Sequence, residues 1–127
     1  MRRFSRPLLI VATLAAASVP AGCGGGGGGG GGKTVDATGG KVTVEAHDIK
    51  YDIGKINADA GTLEVTLLEE GKQQHTFVIE GVDGKAAVSP SEKSDSASFE
   101  LQPGEYEYYC DIPGHKGQGM KGTLVVK

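Results

Sequence analysis

The chain is poor in the residues that bind metals or cross-link. Its 127 residues include 2 Cys, 2 Met and 3 His. Cys23 precedes a glycine run, so the rest of the chain carries Cys110 alone and has no internal disulfide framework. Cations are not in excess, with Lys and Arg numbering 13 against 16 Asp and Glu. No basic stripe exists for nucleic acid. Beyond the first residues, no stretch repeats apolar side chains at the three-four spacing of an amphipathic helix. There is no internal repeat and no Met-rich or His-rich tract. No nucleophile–base pair, paired carboxylates or phosphate loop stands out, so no enzyme is expected.

The N-terminus reads as an export signal. "MRRFSRPLLIVATLAAASVPAGC" has a basic head, a short apolar middle and small residues at its end. The apolar run is too short for a permanent bilayer span. Residues 1–22 are therefore expected to be a signal peptide. "PAGC" resembles a lipobox with Cys23 as the lipid-bearing residue, although Pro20 departs from that pattern. Cleavage after Ala21 is the alternative. Glycine is unbroken from Gly24 to Gly32, a composition that forms flexible coil and reads as a tether. Residues 23–40 are assigned to the lipidated cysteine and tether, and residues 41–127 to one folded domain, whose start the composition puts near Lys33 or Lys41. Losing Arg2, Arg3 and Arg6 takes the formal charge from −3 to about −6. An acidic domain suits partners with basic surfaces.

The folded part alternates with period two. Val42 and Val44 alternate with Lys41, Thr43 and Glu45; Leu63, Val65 and Leu67 alternate with Glu64 and Thr66. "HTFVIEG" is a short β-branched and aromatic run. "SASFELQPGEYEYYC" holds two strands around a "QPG" turn, and "KGTLVVK" is a last strand. The expectation is all-β: a Greek-key β-sandwich of six to eight strands. Tyr106, Tyr108 and Cys110 share one strand face, which points Cys110 inward at one end of the sandwich. His115 and Met120 lie on the loop that follows.

That loop, "YYCDIPGHKGQGM", spaces its sulfur and imidazole groups as Cys-x4-His-x4-Met: Cys110, His115, Met120. Soft sulfur with imidazole favours copper, and a trigonal His₂Cys set with a weak axial Met is the blue-copper arrangement. A second histidine is then required. His75, opening "HTFVIEG", is the candidate. His47 lies in a strand-to-turn stretch and is read as a non-ligand.

"GEYEYYCDIPGHKGQGMKGTLVV" resembles the C-terminal signature of the cupredoxins, the type 1 blue copper family of plastocyanin and azurin, with a ligand loop of rusticyanin and auracyanin type. "HTF" at 75–77 resembles the family's upstream histidine with its following aromatic. The resemblance implies a cupredoxin-like fold and one Cu(I)/Cu(II) ion held by His75, Cys110, His115 and Met120. It implies a one-electron carrier rather than an enzyme. Binuclear copper loops need a second cysteine, and this chain has Gly114 before His115. Multicopper oxidases place histidines beside the cysteine, and this chain has Tyr109 and Asp111. Where the family often has Asn after the first His ligand, Thr76 stands here, and its hydroxyl is expected to replace that role only in part.

The resemblance also implies electron exchange through the ring edge of His115. A second route would run through Tyr109 beside Glu105 and Glu107, where a basic redox partner docks. Lys116 is read as a solvated loop charge. The resulting expectation is an exported, lipid-anchored monomer of the bacterial cell envelope or periplasm. Its rival is a copper-binding module for delivery, storage or sequestration.

Overall fold

The computed structural model describes residues 32–127. The expected signal peptide, Cys23 and the tether up to residue 31 lie outside the described residues. The strands are β1 (Lys33–Asp36), β2 (Lys41–His47), β3 (Lys50–Tyr51), β4 (Ile53–Ala58), β5 (Gly61–Glu69), β6 (His75–Ile79), β7 (Val82–Val88), β8 (Ser94–Leu101), β9 (Gly104–Tyr109) and β10 (Lys121–Val126). They form a six-stranded sheet, β1-β4-β10-β9-β6-β7, facing a four-stranded sheet, β3-β2-β5-β8. This is the expected Greek-key sandwich, with the short strands β1 and β3 added to the anticipated number. Among the described residues, no helix is long and apolar enough to cross a membrane.

Strand β1 starts at Lys33, the earlier of the two starts the composition allows, and pairs in parallel with β4, with Val35 opposite Ile56 and Asp36 opposite Asn57. One feature differs from the sequence reading. Val82–Val88, which has no strong alternation, is a strand because it pairs with β6, His75 facing Val88. Backbone groups at a sheet edge are satisfied by such pairing whatever the side-chain pattern.

Alternation explains the core. Leu63, Val65 and Leu67 of β5 are buried, as are Val44 and Ala46 of β2. They meet an aromatic cluster in which Phe77 stacks on Tyr108 with ring centroids 4.9 Å apart. Phe99 meets Phe77 edge-on at 5.9 Å. The Tyr108 hydroxyl donates to the carbonyl of Ile53 at 2.6 Å, which satisfies its polar end inside the core. Gly122, opposite Tyr108 in the β9–β10 ladder, is required there: a Cβ would run into the Tyr108 ring and hydroxyl.

The register decides which loops meet. β9 runs antiparallel to both β6 and β10, and β2 runs parallel to β5. The C-terminal ends of β2, β5 and β9 and the N-terminal ends of β6 and β10 therefore gather at one pole.

Candidate metal centre

Each predicted ligand comes to that pole by a different route. Cys110 follows β9 on its inward face and is fully buried, as a free thiol. His75 opens β6 and is also fully buried. His115 and Met120 sit on the connection from β9 to β10, which closes on itself. The Ile112 carbonyl accepts from the N–H of His115 at 3.1 Å. The His115 carbonyl accepts from the N–H groups of Gln118 and Met120, each at 3.1 Å. The Cys110 N–H donates to the Met120 carbonyl, also at 3.1 Å. A short turn of 3₁₀ helix, Lys116–Gln118, is stopped by Gly119 at φ 102°, a left-handed conformation that glycine adopts without steric cost. The loop thus sets Met120 beside Cys110 and returns the chain to β10.

One ligand atom each from His75, Cys110 and His115 lies within 4.8 Å of the other two. His115 Nδ1 is 3.5 Å from Cys110 Sγ. The two imidazole rings have centroids 5.2 Å apart. Nε2 of His75 meets Asp48 Oδ1 at 3.2 Å, whereas its buried Nδ1 has no hydrogen-bond partner. An orphaned buried nitrogen is costly unless something takes its lone pair. Thiolate, two imidazoles and a fully buried thioether nearby fit a soft transition metal. The donor set, the burial and the orphaned nitrogen agree. His47 is not part of this group; its Nε2 lies 3.4 Å from Glu45 Oε2 on the outer face.

Thr76 fills its position more fully than the sequence implies. Its backbone N–H donates to Cys110 Sγ at 3.4 Å. Its hydroxyl donates to Asp111 Oδ1 at 2.7 Å and accepts from the Asp111 N–H at 2.9 Å. The hydroxyl has one proton, and the carboxylate at 2.7 Å takes it ahead of the sulfur at 3.6 Å. Thr76 and Asp111 therefore bind the two ligand-bearing segments together. Lys85 completes the group, its Nζ 2.5 Å from Asp111 Oδ2. Burial pushes the Asp111 carboxyl up, but the Lys85 and Thr76 hydrogen bonds outweigh it and hold the group below its ordinary value. The Tyr51 hydroxyl also reaches this segment, donating to the Thr76 carbonyl.

Two carboxylates at the pole were not among the predicted site residues: Asp48, just beyond β2, and Glu69, at the end of β5. Their ligand atoms and one of His75 fall within 4.8 Å of one another. The surface near Tyr109 also differs from the reading. Lys116 is not a free loop charge. Its Nζ lies 2.6 Å from Glu107 Oε1 and 4.1 Å from the centre of the Tyr109 ring.

The cupredoxin-like domain family matches residues 8–126. No curated protein matches the chain in sequence. Among solved structures, dithionite-reduced auracyanin from the photosynthetic bacterium Roseiflexus castenholzii is similar with a TM-score of 0.61 and 21% identity, over 76% of this chain and 99% of that one. Auracyanin A, described as a "blue" copper protein from the green thermophilic photosynthetic bacterium Chloroflexus aurantiacus, is similar with a TM-score of 0.57 and 20% identity, over 69% of this chain and all of that one.

Proposed function

The chain belongs to the cupredoxin-like domain family, and from that premise we propose that it is a mononuclear blue copper protein that carries one electron at a time in the cell envelope. One observation carries this reading: His75, with its Nδ1 buried and unpartnered, stands within ligand distance of Cys110 and His115. When bound, copper takes up and gives back an electron between Cu(I) and Cu(II). His75, Cys110 and His115 would hold the metal through thiolate and imidazole donors, and the Met120 thioether would be a weaker fourth donor.

The supporting structure suits a carrier. Cys110 and Met120 are tied to each other by backbone, and His115 by its own loop. The Thr76 N–H faces the sulfur, where it favours the thiolate and offsets its charge. A ligand set fixed this firmly changes little between oxidation states. His115 is the one histidine of the set with any exposure, at 7%, and exposed Pro113, Gly114 and Lys116 surround it. It is the natural port for the electron. Export by the signal peptide, lipidation of Cys23, and redox partners that dock near Tyr109 belong to the same proposal.

The test is the visible spectrum of the copper-loaded protein before and after ascorbate. An intense blue thiolate-to-copper band should bleach on reduction and return on reoxidation with copper retained. Loss of copper to a chelator on reduction would favour delivery instead. No band, with Cys110→Ala binding copper as well as the wild type, would remove the ligand assignment.

A further inference from the structure

Asp48 meets Nε2 of His75, and one ligand atom each of Asp48, Glu69 and His75 lie within 4.8 Å of one another. Asp48 is held in place from several directions. Its Oδ1 accepts from the Lys72 N–H at 3.0 Å and the Gln73 N–H at 3.2 Å, and its Oδ2 lies 2.9 Å from the same Lys72 nitrogen. Gly71 comes so close that a Cβ there would collide with the Asp48 carboxylate. Glu69 is 3% exposed; its Oε1 accepts from the Gly71 N–H at 2.6 Å, while its Oε2 has no partner. The N–H groups already facing Asp48 oppose a cation there. They make a fixed anion of it.

The Asp48 carboxylate at Nε2 of His75 bears on where the ring proton sits. A bare lone pair on Nε2 would face like charge, whereas an N–H there donates to Asp48. With that proton on Nε2, Nδ1 keeps its lone pair. We propose that Asp48 is a positioning residue that fixes His75 as the Nε2–H tautomer, so that Nδ1 is presented as the metal-binding atom, and that its negative charge favours the oxidised state of the centre. This rests on the copper reading above. It goes further in assigning a role to a carboxylate remote from the ligand loop.

The test begins without metal. In ¹⁵N-histidine-labelled, metal-free protein, NMR of the imidazole nitrogens should show His75 bare at Nδ1 and protonated at Nε2. A proton on Nδ1 overturns the proposal, even if the blue band is present. The expected tautomer without a blue band leaves Asp48 its role and overturns only the copper reading. In Asp48→Ala, copper affinity measured by chelator competition should fall about 10- to 100-fold, as for other carboxylate partners of ligating histidines; an unchanged affinity overturns the proposal. Asp48→Asn keeps the shape and an acceptor oxygen but loses the charge. It should retain the tautomer and the blue band while the reduction potential rises, and an unchanged potential overturns the charge effect.

Discussion

Thr76 and Asp111 bind each other twice across the pole of the sandwich, hydroxyl to carboxylate at 2.7 Å and N–H to hydroxyl at 2.9 Å. Thr76→Val removes both bonds at nearly constant volume and leaves the Asp111 N–H without its acceptor. The metal-free protein should lose about 1–3 kcal/mol of unfolding free energy, the net worth of two ordinary hydrogen bonds. Thr76→Ser should recover most of it. Urea unfolding of the three proteins would decide, and equal midpoints would mean the pair is not coupled.

Acid should weaken the fold through the same carboxylate. Asp111 and Asp48 both have values lowered in the fold, Asp111 by Lys85 and Thr76 against the pull of burial, and Asp48 first by the Lys72 N–H. A lowered folded value contributes stability that is complete above the ordinary carboxylate value of about 3.9 and vanishes as pH falls through the folded one. The wild-type urea midpoint should thus drop more steeply below about pH 4 than that of Asp111→Asn. Parallel curves would count against the Lys85–Asp111–Thr76 group as a stabilising unit.

Copper should stabilise the native state by mass action. With free metal at about 100 times its Kd, the gain is about 2.7 kcal/mol. Calorimetry should show a raised Tm for the wild type and little change for Cys110→Ser, which lacks the thiolate. An equal rise in both would place the bound metal elsewhere.

Gly122→Ala tests the packing under the site. The added methyl collides with Tyr108 and with the Gly54 carbonyl, whereas a Cβ at Gly117 meets nothing within 4 Å. The first substitution should cost about 1–3 kcal/mol, as for overpacking in a core. Gly117→Ala serves as the control and should unfold like the wild type.

Lys116 neutralises the surface on which a basic partner is expected. Lys116→Ala frees Glu107 and uncovers Tyr109. Electron exchange with a small cationic metal complex should then quicken at low salt by up to about fivefold, since one charge at contact in water is worth about 1 kcal/mol. The gain should disappear at high ionic strength. No change at low salt would argue against docking beside Tyr109.

The candidate loop was legible because its chemistry is local: Cys110, His115 and Met120 lie on one connection between β9 and β10, and strand parity already pointed Cys110 inward. Most strands were legible for the same reason. β1 and β7 were not, because pairing with β4 and β6 rather than alternation makes them strands. Glu69 carried a signal of a different kind, since it continues the buried parity of Leu63, Val65 and Leu67. A carboxylate at the inward end of an apolar row is a mark of a polar site. Asp48 carried no such signal, for it lies past the end of β2 and is exposed. What parity cannot give is the partner: the contact of Asp48 with His75 joins separate strands and exists only once both sheets are assembled.

The parallel pairing of β1 with β4 has a consequence for reach. Lys33 lies opposite Ile53, β4 runs parallel to β10, and β10 begins at the pole that holds Cys110. The described chain thus enters the sandwich at the same pole as the proposed copper site. If the leading segment is anchored, as proposed above, that pole is the part of the domain nearest the anchor, and exchange with anything seated there needs no reversal of the sandwich.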